Sequence, residues 1–385
     1  MCTTRSPDGA PLSTLQIGMT ASRRHTSGTD RYYLDLLRAL PLLGVRVHGV
    51  VLGDPAGLDD PVPGLESFAP EDAPRLRRWA GVRRAVSRLI GETNLVVSHG
   101  APHVFPALDQ IRIRPLVVHF HGPWALEGSA EGVRRGIVFI RSLQERAVYA
   151  RAERFIVLSR AFAEILQREY RISPAKIRIV PGGVDLSRFA ARETREEARR
   201  RLGWPTDRRI VVAVRRLVPS KGLHRFIGAI AALRSATPDI LAFIVGSGPL
   251  LADLQRHVRE HRLEPWIRFT GYVSDDALIA AYRAADLAVV PTLAFEGFGL
   301  AAVEALATGT PVLVTPIGGL TEVVADLDPG LILPGVTISD IAEGIRRALG
   351  GELTLPRAQA CIAHARRFGW PLVAQRIRDV YREVA

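Results

Sequence analysis

Two glutamates eight positions apart, Glu296 and Glu304, frame the stretch "EGFGLAAVE", in which Gly297, Phe298 and Gly299 run into an alanine- and leucine-rich helix from about Leu300. Glycines at a helix start leave backbone N–H groups pointing outward, and with the helix dipole they make a site for an anion. Glu304 falls inside an otherwise apolar helix, so its carboxylate needs hydroxyl or N–H partners. A ribose diol would satisfy it, while Glu296 on the loop could hold sugar hydroxyls. Either residue singly is also explained as a buried capping or bridging carboxylate.

Lys221 is one of two lysines, with Lys176, in a chain of 51 basic residues. It closes "RRLVPSKG" after the apolar run "IVVAV", which puts Arg215, Arg216 and Lys221 at the carboxyl end of a strand. Cations on such a loop can converge on a diphosphate, the competing explanation being a solvated charge cluster. "FIVGSGPL" places Gly246 and Gly248 directly after another apolar strand, where a ligand or a neighbouring backbone can approach closely. It is not a dinucleotide fingerprint, because the third glycine of that pattern is Leu251 here. In the first half, "VVHFHGPW" sets His119 and His121 on one side of a strand end, His121 nearer the loop, where an imidazole can hydrogen-bond a reacting oxygen. Ser27-Gly28, after the first strand, is a candidate for close approach to a phosphate.

The elements that position these residues follow from the alternation of short β-rich runs with helical stretches. "LQIGM", "VHGVVLG", "NLVVSHG", "PLVVHFHG" and "RFIVLS" make one set, and "RRIVVAVRRL", "LAFIVGSG", "IRFTGYV", "DLAVVPT" and "TPVLVTP" another. Apolar strands separated by helices indicate parallel sheets with crossover helices, and 385 residues exceed what one core normally serves. Two doubly wound α/β domains are therefore expected, 1–188 and 189–366, with ligands bound outside the carboxyl ends of the strands and a cleft between domains as the default site. The break falls after a Pro-Gly-Gly turn, ahead of a polar helix over 192–201. The last segment, 367–385, reads as a helix with Leu372, Val373, Ile377, Val380, Tyr381 and Val384 on one face, packing back on the first domain.

Hydrophobic content of 47% with 23% charged residues fits a chain that buries large cores, so disorder is expected only at the ends. The net charge of +12 suits a polyanionic partner without choosing one, and no aromatic-basic motif supports nucleic acid. Cys2 and Cys361 are too few and too far apart for a metal cluster and fit a reducing, cytoplasmic setting. The polar opening "MCTTRSPDGAPLST" lacks a signal-peptide layout and is expected to be loosely ordered, and no apolar run approaches the ~18 residues of a membrane span.

Taken together, these stretches resemble a retaining glycosyltransferase of family 4 with the two-domain GT-B fold. The resemblance runs from Ser27-Gly28 through "FHGPW", "VLSRAF", "VPGGVDLSRF", "RRLVPSKGL", "VGSGPL", "FTGYVSDDAL" and the two-glutamate stretch to "GWPLVAQRIRDVYREV". It implies a nucleotide-sugar donor in the C-terminal domain and a hydroxyl acceptor, whether glycan, glycolipid or natural product, in the N-terminal one. Arg216 and Lys221 would neutralise the donor diphosphate, Glu304 would take the ribose, and Glu296 with the 297–300 backbone the transferred sugar. Val273 and its neighbours would face the base, and His121 would hold the sugar or its leaving phosphate. Neither a cofactor nor a metal is implied. Two positions depart from the family pattern. Its first-strand Gly-Gly reads Ser27-Gly28, and the glycine of its Gly-Arg-Leu is Arg215, so Arg216 is the match by its spacing to Lys221.

The basic amphipathic stretch 75–90 has Leu76, Trp79, Val82, Val86, Leu89 and Ile90 on one face. Packing on the first sheet explains that face; the second reading is peripheral contact with an anionic membrane face. Other activities of the same fold are a nucleotide-sugar epimerase, a sugar phosphorylase or a non-catalytic nucleotide-sugar-binding protein. A nicotinamide enzyme lacks its glycine motif, and a pyridoxal-phosphate enzyme has only two lysines to draw on.

Overall fold

The computed structural model describes residues 11–21, 27–58, 60–190 and 193–385. Cys2 and the rest of 1–10, residues 22–26 with Arg23 to His25, Asp59, and 191–192 lie outside them. The chain divides into two compact units, Met1–Gly183 with Trp370–Ala385, and Val184–Gly369. It thus leaves the first unit at Gly183, five residues before the sequence-based boundary, and re-enters it at Trp370 rather than at 367.

The first unit holds a parallel sheet of seven strands in the order β3-β2-β1-β4-β5-β6-β7. These are β1 (Ser13–Ala21), β2 (Arg46–Gly53), β3 (Leu65–Ala69), β4 (Leu95–His99), β5 (Leu116–Phe120), β6 (Arg154–Val157) and β7 (Ile177–Ile179). The second unit holds five, β8 (Arg209–Val214), β9 (Ile240–Val245), β10 (Ile267–Gly271), β11 (Leu287–Val290) and β12 (Val312–Val314), ordered β10-β9-β8-β11-β12. Central strands such as Leu95–His99 and Ile240–Val245 are buried throughout, because helices cover both faces of a doubly wound sheet. In each sheet the strand order reverses once, between β1 and β4 and between β8 and β11. Loops leaving neighbouring strands in opposite directions open a crevice there, which is where such sheets bind ligands.

Two helices settle what their apolar faces do. Arg75–Leu89 turns Val82, Ala85, Val86 and Leu89 into the core under β3, with Gly81 against the Phe68 carbonyl. Leu76, expected on that face, is instead 77% exposed. Arg83 forks onto Asp109 at 2.6 and 2.8 Å. The closing helix, Trp370–Arg382, buries Trp370, Val373, Ala374, Ile377, Val380 and Tyr381 in the first unit. Its Leu372 points to solvent, and Trp370 takes that place under Gly183 and beside Tyr32. The polar helix expected over 192–201 spans Arg195–Leu202, started by a capping box between Thr194 and Glu197.

Candidate active site

In the second unit, β8 and β11 end side by side at the switch point, and the loops that leave them carry the charged residues. The Glu296 carboxylate sits between two cations: Arg215 donates to its Oε2, Lys221 Nζ lies 3.1 Å from the same oxygen, and the Thr292 hydroxyl donates to it at 3.2 Å. Arg215 also donates to Thr292. Burial by itself would raise the Glu296 carboxyl, but the neighbouring Arg215 and Lys221 charges outweigh it and hold the group at about 2. Arg216 is exposed and makes no ion pair among the described residues. The structure therefore turns Arg215, not Arg216, onto Glu296, and the Arg216 side chain is exposed.

Glycines lock these two loops together. A Cβ on Gly222, at φ +72°, would lie 1.9 Å from the Pro291 carbonyl oxygen, and Leu293 N–H donates to Ser220 O at 2.8 Å. Gly246 and Gly248 do the same beneath the Arg215 loop, where a Cβ would meet Arg215 O at 2.1 Å and Leu217 O at 2.5 Å. Their close approach is to backbone. Phe295, directly before Glu296, is a bulky residue at φ +49°, local strain of the kind that accumulates at functional sites.

Gly297 and Phe298 lead to Gly299, and the helix Leu300–Ala307 begins with no side-chain cap, so its first N–H groups remain available to an anion. Glu304, buried on this helix, accepts from the Tyr282 hydroxyl at 3.1 Å. Val273 is half-buried in the loop after β10.

In the first unit, Ser27 caps the helix Gly28–Ala39 in a capping box with Asp30, whose carboxylate takes the N–H groups of Ser27 and Thr20, both at 2.9 Å. Gly28 is the first helical residue. His121 follows β5 and stands with Nε2 3.2 Å from His99 Nδ1. Burial lowers its imidazole to about 4, so it is neutral near pH 7.

The family model described as "Glycosyltransferase Family 4" matches residues 26–188, and that described as "Glycosyl transferases group 1" matches 194–368. A D-inositol 3-phosphate glycosyltransferase of Actinosynnema mirum is 33% identical over 375 residues, 88% of this chain and 84% of that one. The chain belongs to glycosyltransferase family 4. Another relative of the same description, from Streptomyces bingchenggensis, is 35% identical over 254 residues, 63% of this chain and 55% of its own length. Among solved structures, sucrose-phosphate synthase from Thermosynechococcus elongatus superposes with a TM-score of 0.79 at 22% identity, covering 97% of this chain and 99% of that one. Anabaena HepE in complex with UDP-glucose gives 0.74 at 20%, covering 96% and 98%. The fold is GT-B, and the enzyme is a glycosyltransferase.

Within this family 4 glycosyltransferase, the structure brings together Lys221, Glu296 and the 297–300 backbone around one switch point, with Arg215 and Thr292 added. Thr292 carried no sequence motif, its one sign being a hydroxyl directly after the buried strand end "VVP". The stretch 75–90 turns Val82, Val86 and Leu89 of its apolar stripe into the core and leaves Leu76 exposed, and no described helix is long and apolar enough to cross a membrane.

Proposed function

We propose that this enzyme transfers a hexose-type sugar from a UDP- or GDP-sugar to a hydroxyl acceptor, with retention at the anomeric carbon and without a metal. The observation that carries the proposal is the charge arrangement in the second unit. Two cations, Arg215 and Lys221, hold the Glu296 carboxylate, Arg216 stands exposed next to Arg215, and the helix from Leu300 begins with no side-chain cap. That surplus of positive charge suits a diphosphate leaving group. The bond from the anomeric carbon to the phosphate oxygen breaks with its electron pair going to the diphosphate. The acceptor hydroxyl then attacks from the same face, and its proton passes to the departing phosphate oxygen. Arg216, Lys221 and the Leu300 helix N-terminus stabilise the charge that develops there. Glu304 holds the ribose, Glu296 the transferred sugar, and Gly28 approaches a phosphate.

The UDP-glucose complex of HepE supports a uridine donor, and the D-inositol 3-phosphate glycosyltransferases support a phosphorylated cyclic polyol as acceptor. The net charge of +12 accords with two anionic substrates. The test is incubation with UDP- and GDP-hexoses, with and without D-inositol 3-phosphate and a metal chelator, read by mass and by the anomeric proton signal. The expected product is heavier by one hexosyl unit, keeps the donor's anomeric configuration and forms equally with chelator. Nucleotide release with an epimerised free sugar, or a requirement for inorganic phosphate, would replace transfer by epimerase or phosphorylase chemistry.

A further inference from the structure

One polar cluster in the first unit surrounds His121. Gln16 on β1, His99 at the end of β4 and His119 and His121 around the end of β5 lie on one face of the sheet, beneath Tyr32 and Tyr381. Gln16, His99 and His119 are buried on the face that also carries Val97 and Val117, opposite to the one from which Leu15, Ile17, Val96 and Val118 enter the apolar core.

The hydrogen-bond directions in this cluster fix one another. The Thr14 hydroxyl reaches the Arg46 carbonyl, which only accepts, so Thr14 Oγ1 receives Gln16 Nε2–H at 3.1 Å. Gln16 Oε1 then faces His99 Nε2 at 2.9 Å, which must carry a hydrogen. His99 is kept neutral by burial, so its Nδ1 is a bare lone pair and accepts from His121 Nε2–H at 3.2 Å. On the other branch, Gln16 Nε2–H reaches Tyr381 Oη at 3.4 Å and Tyr381 donates to His119 Nε2 at 2.7 Å. His119 Nδ1–H in turn meets Tyr32 Oη at 3.1 Å.

With this amide orientation one buried donor, the Tyr32 hydroxyl, lacks an acceptor among the described residues. Turning the amide over would leave two without one, a Gln16 N–H and His121 Nδ1–H, and buried donors are the costlier groups to orphan. A shared metal fits less well. The three imidazoles bring nitrogens within 4.8 Å, but the rings lie nearly parallel, 20–24° apart, so their in-plane lone pairs do not converge on one point.

We propose that Gln16 and His99 are positioning residues that hold His121 in the Nε2–H tautomer, so that its Nδ1 presents a lone pair to a hydroxyl hydrogen of the substrate. Nδ1 of His121 is screened from solvent and finds no partner among the described residues, the condition in which a bound hydroxyl or an ordered water completes a buried acceptor. A neutral imidazole with a bare Nδ1 cannot donate to a phosphate oxygen from that atom, so of the two roles the family resemblance implies for His121, the sugar is favoured over the leaving phosphate. The substrate side of this inference rests on the transferase function proposed above; the tautomer does not.

The experiment is a long-range proton–nitrogen correlation spectrum of the full-length protein labelled with [15N]histidine, with no substrate. His121 and His99 signals are assigned by their loss in His121→Gln and His99→Gln. Both residues are expected to show a protonated Nε2 and an unprotonated Nδ1. Gln16→Leu should mix the tautomers and lower kcat on the order of tenfold with a smaller change in the donor KM, and Gln16→Glu, which keeps an acceptor at that place, should restore both. A His121 protonated on Nδ1 in the wild type, or tautomers unmoved by Gln16→Leu, overturns the proposal. Because the wild-type spectrum alone decides the first point, a variant that fails to fold leaves it testable. An enzyme with the expected tautomers but no sugar transfer would contradict the proposed function and not the positioning.

Discussion

Glu296 takes both Arg215 and Lys221, yet the two cations differ in what they can tell. Arg215 is buried and pairs with no other carboxylate among the described residues, whereas Lys221 is partly open and, besides Glu296 and the Phe295 carbonyl, keeps one N–H for a phosphate. Lys221→Ala is therefore expected to lower kcat by more than about a hundredfold with little change in the melting temperature. Arg215→Ala should destabilise by about 2 kcal/mol, because it breaks a buried pair whose other partner stays in place. Steady-state kinetics and thermal melts of both variants check this; equal losses of stability would mean that the two are interchangeable structural ions. The sequence singled out Lys221, Glu296 and the glycine loop as candidates beside plainer explanations, and the structure puts Lys221 and Glu296 in contact at one switch point. The sequence did not reveal which of Arg215 and Arg216 turns inward, because past a strand end side-chain direction is set by loop contacts. Nor did it expose Gln16, although a lone amide inside the apolar run "LQIGM" must find partners and was a readable sign.

The loops after β8, β9 and β11 form one element, locked by Gly222 on Pro291 and by Gly246 and Gly248 on the Arg215 loop. Gly222→Ala must move a backbone carbonyl and adopt a left-handed φ, so it should both destabilise the unit, by more than about 1 kcal/mol, and weaken nucleotide binding. Denaturant unfolding and nucleotide titration would measure the two effects, and a stable variant with normal affinity would show the loops to be independent. The helix Arg75–Leu89 makes the opposite kind of prediction. Its stripe is already packed under β3, so reversing charge at Arg83 and Arg84 should leave liposome co-sedimentation unchanged. A loss of binding in that variant would restore a membrane role. The amphipathic period was legible in the sequence, but which partner covers the face was not, since the same stripe serves a sheet or a lipid surface. In the same way the parallel sheets could be read from buried runs, while the exact return of the chain at Trp370 depended on an indole filling the space over Gly183.

At the scale of the whole molecule, buried histidines are distributed unevenly. His99, His103, His119 and His121, all in the first unit, are lowered chiefly by burial, His103 and His121 to about 4. A histidine held below its unfolded value leaves stability intact above about pH 6.5, and that stability is lost as pH falls, because the unfolded chain takes up protons that the folded one refuses. Asp30 and Glu145, raised by burial, offset part of this in the first unit. In the second unit His257 is lowered as well, and Glu296, held at about 2, keeps its contribution until pH drops below about 4.5. The first unit is therefore expected to lose stability first between pH 6.5 and 4, by a few kcal/mol. Hydrogen exchange resolved along the chain would check it; earlier opening of 184–369 would contradict it.

The most direct test of the donor assignment is the melting temperature of wild type and Lys221→Ala with UDP, GDP, ADP, dTDP and CMP at millimolar concentration. A ligand at 100 times its dissociation constant stabilises by about 2.7 kcal/mol, a shift of several degrees. The proposed function predicts that one uridine or guanosine diphosphate raises the wild-type value and that Lys221→Ala loses most of the rise. A wild type indifferent to all five, or a mutant that responds as strongly, would contradict a diphosphate held at this switch point.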